Sequence, residues 1–371
     1  MKKVTAARSR LALLMGASLM SATAMIASQF CASAQAQSFS GKTLTMVINY
    51  GAGGNVDTEG RIFERHLSKH IAGKPNIIVN NVPGAGGLTA INQLGVGVGV
   101  KDPSTTFGFV TFNPMAILVD DPALRVKVDV FSMIAGVGGY YVAYARRDAV
   151  PEQKASAFAR ASDIHAAGYA RSSVHDVRLR LLLDLLGPKY QVVTGFQSTG
   201  AVNLAMERNE INFMLSTLPG YESQVVPNLV DKGVAMPLWQ IGARNAKGEL
   251  TGSEKLRAQG VKFFEEIYQE AHGKPPEGPR YRALQLVNEL RAQLARAILM
   301  PPGASPAAVE ELRKAFDSLA GDKAFIAEHL KIVGEEPVLI PGADAQRLVT
   351  DAVKATDAEM KKILKDAAGV N

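Results

Sequence analysis

"TLTMVINYGAGGNVDTEGR", residues 43–61, decides the fold. An apolar run of strand length ends at Asn49. Three glycines follow, and then a helical pattern begins in which Val56, Phe63, Leu67 and Ile71 share one face. The order is strand, small-residue turn, helix. It recurs at once: "NIIVNN" (76–81) predicts a second strand, "LTAINQLG" (88–95) a short helix and "FGFVTFN" (107–113) a third strand. A β-α-β-α-β order calls for a parallel sheet with helices packed on its faces, an α/β protein.

The pattern restarts at "YYVAYA" (140–145). "HAAGYA" leads into a helix over 175–186 with Val177, Leu181, Leu182 and Leu185 inward. "YQVVTGF" (190–196) leads into a helix over about 199–208, and "INFMLS" (211–216) is again a strand. "VAMPLWQIGA" (234–243) reads as a strand returning toward the first half. Residues 244 to 280 read as turns around a short helix near 263–271. Then comes a long helix with Val287, Leu290, Leu294 and Ile298 in register, stopping at "PPGASP" (301–306). Ser305 caps the next helix, and a final helix covers roughly 344–366. "GVGVGV" (95–100) is expected to pack tightly through its small residues.

The N-terminus carries Lys2, Lys3, Arg8 and Arg10 and no acid. An apolar run from Leu11 to about Ala27 follows, with Ala34 and Ala36 placed for cleavage, so residues 1–36 read as a secretory signal peptide. Its loss removes four cations and takes the net charge from +6 to +2. Cys31, the one cysteine, goes with it, so no disulfide, thiolate metal site or thiol nucleophile is expected. The mature chain gives no charge argument for nucleic acid.

Several chemistries fail on spacing. From Gly51 a dinucleotide fingerprint lacks its third glycine, because Val56 stands there. "GKT" (41–43) precedes the strand where a phosphate loop needs it to follow. "GFQSTG" (195–200) is one residue off a nucleophile elbow, so Ser198 reads as a helix cap and not a nucleophile, and no catalytic residue is assigned. His66 and His70 have the i, i+4 spacing of metal ligands but no third partner, so a solvated face is expected and no metal. No cofactor is expected either.

One device remains. Small-residue turns open helices at "GAGGN" (51–55), "PGAGG" (83–87), "RSSVHD" (171–176) and "QSTG" (197–200), two in each half. Helix starts leave N–H groups unpaired and carry partial positive charge, so such ends facing one another across a cleft can clamp a carboxylate.

These residues resemble a known family. Tyr50, Gly53, Gly54 and Asp57 match the first loop of the substrate-binding proteins of tripartite tricarboxylate transporters, the Bug family of periplasmic receptors. "NNVPGAGG" (80–87) matches a second hallmark and "MPPGASP" (300–306) a later turn. The resemblance implies a two-lobed Venus-flytrap binding protein with a mostly parallel sheet in each lobe and crossover hinge strands near 140–145 and 236–242. Lobe 1 would hold residues 37–139 and 243–371, and lobe 2 residues 140–242. The ligand would be a small carboxylate and the partners two integral membrane subunits. The protein would be a periplasmic monomer and not an enzyme. A receptor for a membrane sensor kinase and an exported hydrolase stand as alternatives. Ligand contacts are expected from Tyr50, Ala52, Gly53, Gly54, Asn55, Asp57 and Gly86 in lobe 1. Lobe 2 would offer Arg171, Ser172, Ser173, Ser198, Thr199, Gly200 and Thr217. Asp57 is expected to turn back and bond the loop. Asn49, Gly51 and Ala52 stand where the family has prolines, Phe196-Gln197-Ser198 replaces its Tyr-Lys-Gly, and 244–290 exceeds its usual link. These departures bear on the ligand and not on the fold.

Overall fold

A computed structural model describes residues 39–196, 198–244 and 248–370. The expected leader and cleavage site, together with Gln197, lie outside the described residues. Strands β1 (Thr43–Ile48), β2 (Asn76–Asn81) and β3 (Thr106–Thr111) pair in parallel, with helix α1 (Asn55–Leu67) crossing from β1 to β2 and α2 (Leu88–Gly95) following β2. Leu44, Met46 and Ile48 point from β1 onto Ile62, Phe63 and Leu67 of α1 in one apolar cluster. That burial gives the alternation in β1 and the stripe in α1 their common purpose.

After the short helix α3 (Pro114–Leu118), β4 (Ser132–Val137) closes the first run of the chain. The link Gly138–Tyr140 enters β5 (Tyr141–Arg146), and a second sheet is built from β6 (Ile164–Ala167), β7 (Tyr190–Val193), β8 (Phe213–Thr217) and β9 (Ala235–Ile241). Its order is β7-β6-β8-β5-β9, with β5 running against the other four. Helices α4 (Val174–Leu186) and α5 (Thr199–Glu207) join its parallel strands. Helix α6 (Leu218–Gly220) runs on into a π-helical stretch, Tyr221–Val230, before β9.

The chain returns through a short antiparallel pair of two-residue strands, β10 (Ala243–Arg244) and β11 (Leu250–Thr251). Then come α7 (Glu254–Ala258), α8 (Phe264–His272) and α9 (Pro279–Gln293), and it re-enters the first sheet as β12 (Arg296–Met300). After α10 (Pro306–Leu319) and α11 (Lys323–Val333), β13 (Leu339–Pro341) completes a sheet of order β13-β4-β12-β3-β1-β2. Four of its six strands run one way, with β12 and β13 against them. Helices α12 (Gly342–Ala355) and α13 (Ala358–Ala368) end the chain.

Four expectations change. The long helix ends at Gln293, and Ile298, read as its last inward residue, lies in β12 between β3 and β4. "RAILM" is an apolar run buried on both faces, which fits helix periodicity and strand equally well. The final helix is two, broken where Asp357 caps the second by accepting from the Met360 N–H at 2.7 Å. "GVGVGV" does not pack tightly: Gly97 and Gly99 take left-handed turns, leaving Val96 63% and Val98 57% exposed. His66 and His70 do not face solvent. Their Nε2 atoms meet Glu328 and Asp322, tying α1 to α11, and no metal-binding cluster occurs among the described residues.

The 244–290 segment has a defined place. Helix α8 packs on β9, while α9 packs on α4 of the second lobe and on α3, α12 and α13 of the first. One apolar cluster runs from Leu88 and Phe112 through Leu284 and Leu290 to Leu181 and Trp239. The inserted helix therefore fills the seam between the lobes with core.

Candidate functional site

The first lobe presents two turns at the C-terminal edge of its parallel strands. Buried Asn49 ties them: its Nδ2 donates to the carbonyls of Gly87 (3.3 Å) and Thr111 (3.2 Å), and its Oδ1 accepts from the Thr111 N–H. The Tyr50 hydroxyl donates to the Gly86 carbonyl at 3.2 Å. Residues 84–87 form a left-handed turn, with φ of 130°, 48°, 62° and 95° in succession. A Cβ on Gly87 would sit 2.3 Å from the Asn49 amide nitrogen, so the close approach as well as the φ demands glycine.

Asp57 turns back on its own loop. Its Oδ2 accepts from the Gly53 N–H and from Arg61 Nε, each at 2.9 Å, and its Oδ1 accepts from Asn81 at 3.0 Å. Burial would raise this carboxyl, but Arg61, Gly53 and Asn81 together hold it below the usual range. The second lobe repeats the device. Asp176, fully buried in the first turn of α4, accepts from the Tyr169 N–H (2.8 Å) and the Ser173 hydroxyl (3.0 Å). Two of the four helix starts are thus already served by the protein's own carboxylates. At α5 the Ser198 Oγ accepts from the Ala201 N–H at 3.2 Å. The Tyr169 hydroxyl is hydrogen-bonded to Thr199.

Between the lobes lies a cavity of about 150 Å³. Asn55, Thr58 and Glu59 of α1 form one wall, and Thr217, Gly220 and Ser223 the opposite one. Gly138–Tyr141, Arg296 and Glu335 close it at the link between the sheets. Of the residues expected from sequence, Asn55 and Thr217 line it. Tyr50, Ala52, Gly53, Gly54 and Gly86 lie on the exposed turns of the first lobe, and Asp57 is buried beneath them. Ser172, Ser198 and Gly200 are exposed, and Ser173 and Thr199 partly so, at the starts of α4 and α5. Arg171 is placed elsewhere. Its guanidinium packs against Gly369 at the end of α13, so close that a Cβ there would meet Nε at 1.9 Å.

A pair of buried guanidinium groups sits behind Tyr141. Arg178 of α4 stacks on its ring, with the guanidinium carbon 3.7 Å from the ring centre. Arg291 of α9 hydrogen-bonds the Tyr141 hydroxyl and donates to the carbonyls of Phe112 (3.0 Å) and Ala295 (3.3 Å). Arg178 is 1% exposed and Arg291 7%, and neither has a carboxylate partner among the described residues. Arg178 Nε and Nη1 have no hydrogen-bond partner among the described residues. Burial pushes Arg178 down to about 10. Burial would push the Tyr141 phenol up, yet Arg291 and Arg178 outweigh it and hold the phenol below the usual tyrosine range.

The third cation, Arg296, is paired: its Nε lies 2.9 Å from Glu59, which His329 approaches at 3.6 Å. Burial would raise Glu59, and Arg296 and His329 hold it low. Glu335 has no such cation, and burial with the nearby Glu59 pushes it up to about 8. Sequence reading missed Arg178, Arg291, Arg296 and Glu335. The first two carried a signal, since each occupies the apolar stripe of its helix, beside Val177 and Leu182 or Val287 and Leu290.

No known family's sequence profile matches the chain, and no curated protein does. Solved structures do match over nearly their whole length. A ligand-free TctC solute-binding protein from Polaromonas is 16% identical, with 87% of this chain and 98% of that one covered and a TM-score of 0.61. The periplasmic binding protein BugD is 16% identical, with 89% and 98% covered and a TM-score of 0.59. MatC from Rhodopseudomonas palustris, solved with bound malate, is 17% identical, with 86% and 98% covered and a TM-score of 0.56. The chain therefore has the two-lobed α/β fold of these tripartite tricarboxylate-type binding proteins.

Proposed function

We propose that this chain is an exported solute receptor that captures a small organic carboxylate between its lobes and delivers it to a tripartite tricarboxylate-type membrane transporter. The observation that carries the reading is the cavity over Tyr141, backed by two buried guanidinium groups without a carboxylate. A buried charge left unpaired costs several kcal/mol, and stacking and carbonyl contacts offset only part of that. The remaining positive potential points into a cleft with low-dielectric walls, which concentrates it on an anion. Asn55 and Thr217 stand at helix starts on opposite walls, where N–H groups favour a carboxylate.

The fold neighbours support the same class, since one of them was solved with malate. In this reading residues 37–139 and 243–371 act as one lobe and 140–242 as the other, and the protein carries out no reaction. Delivery to two membrane subunits is proposed on the resemblance of the loops around Tyr50 and Gly86 alone. A thermal-shift screen with mono- and dicarboxylates, sugars and amines tests the capture step. Stabilisation by at least one carboxylate and by no sugar is expected. A response confined to neutral or cationic compounds would overturn the reading. Uptake of the binding acid in a deletion strain tests delivery.

A further inference from the structure

Glu335 follows α11 and borders the cavity at its link end. The charged groups facing it come from four elements. Glu59 projects from α1, and Arg296, from β12, is committed to Glu59 at 2.9 Å. His329 of α11 donates from Nδ1 to the Glu335 carbonyl at 2.8 Å. Its Nε2 is buried without a hydrogen-bond partner, 3.6 Å from Glu59. Tyr140, on the link, has its phenol raised by burial and then by Glu335. The Glu335 carboxyl itself makes no hydrogen bond or ion pair among the described residues. Two carboxyls therefore share one end of a small cavity that holds one guanidinium, and that guanidinium belongs to Glu59. Like charges so confined do not both ionise readily.

We propose that Glu335 is a proton-bearing ligand contact: it donates its carboxyl O–H to the carboxylate of the bound acid, and at a pH where the free protein has lost that proton, capture of the anion takes one up from solvent. This rests on the carboxylate-receptor reading above. A neutral carboxyl is a donor of the shape that a carboxylate accepts, whereas an ionised one would repel it. Bound anion and proton therefore favour each other, and by linkage the affinity falls once the free protein loses the proton.

The test is isothermal titration of the wild type and of Glu335→Gln with a panel of sodium carboxylates from acetate to adipate, malate included. In the wild type the tightest binder should lose about tenfold in affinity between about pH 6.5 and about pH 9, because a group titrating near 8 is only about one-tenth protonated at the higher value. Glu335→Gln, which keeps a neutral donor, should bind equally at both. Wild-type heats measured near pH 8.5 in two buffers of different ionisation enthalpy should report the proton taken up, and this readout needs no variant. Equal wild-type affinity at both pH values, with no proton uptake, would overturn the inference and leave the receptor reading standing. A full pH dependence retained in Glu335→Gln would do the same. Failure of every carboxylate to bind at either pH would remove both.

Discussion

Arg178→Met separates an anion-binding arginine from a merely structural one, because its two effects have opposite signs. Arg178 is 1% exposed, with Nε and Nη1 unpartnered and no carboxylate beside it. Removing such a cation relieves a desolvation cost of several kcal/mol, while the lost stacking on Tyr141 costs about 1–2 kcal/mol. Methionine fills much of the same volume. The ligand-free protein should therefore gain about 1–3 kcal/mol in unfolding free energy. The charge also reaches the cavity. The guanidinium carbon lies 3.7 Å from the Tyr141 ring centre. An anion against the opposite face is then about 7 Å away, and at an effective dielectric constant of roughly 20–40 the attraction is roughly 1–2 kcal/mol. Affinity for the carboxylate should fall by about 5- to 30-fold. Urea unfolding of the ligand-free protein and isothermal titration read the two effects. Arg178→Lys, which keeps the charge and loses the planar stack, should retain more of the affinity. A variant that unfolds at lower urea and binds as tightly as the wild type would show that Arg178 is structural and does not attract the anion.

Asp57→Ala should cost about 1–2 kcal/mol in urea unfolding, because it removes the shared acceptor of the Gly53 N–H, Arg61 and one Asn81 N–H; a loss below about 0.5 kcal/mol would contradict the assignment of Asp57 to the loop. The folded-state pKa of Asp57 is depressed. Its contribution is therefore present above the unfolded carboxylate pKa and lost as pH falls through the folded value. Asp57→Asn should flatten the acid side of the stability profile, and an unchanged acid limb would count against it. Gly87→Ala should cost about 2–4 kcal/mol, since it combines a left-handed φ with a Cβ 2.3 Å from Asn49. A thermal midpoint within a degree of wild type would show that the turn has another conformation open to it.

The parts of the fold that could be read from sequence are those where local pattern and tertiary role agree. In β1 and α1 the apolar alternation, the glycine turn and the helical stripe all serve one core, so the reading and the structure coincide. "PGAGG" was legible as a turn because a proline and three glycines in five residues suit little else, and residues 84–87 indeed take four successive positive φ angles. Strand β12 was not, because "RAILM" is buried on both sides and its pairing partners, β3 and β4, lie far away in sequence. The break at Thr356–Asp357 could have been found from the Asp357 cap.

The site divides similarly. The small-residue helix starts were visible. What fills two of them was not, since the carboxylates of Asp57 and Asp176 turn inward only in three dimensions. Arg171, picked for its charge and its place in a loop, is held by the C-terminal helix. Arg178 and Arg291 occupy inward helix positions where an arginine needs a reason, and that irregularity was readable. Their convergence on Tyr141 from α4 and α9 was not. Glu335 carries no local signal, because its environment is built by Glu59, Arg296 and the link at Gly139.

In the proposed function the anion sits in the cavity over Tyr141 and not on the exposed turns. A crystal structure of the protein soaked with the carboxylate that most stabilises it measures this directly. Carboxylate density is expected against Tyr141, between the first turn of α1 and Thr217, within hydrogen-bond reach of Asn55 or Glu335. Density on the left-handed turn at residues 84–87, or in the groove between α9 and α12 beside Arg347, would contradict it.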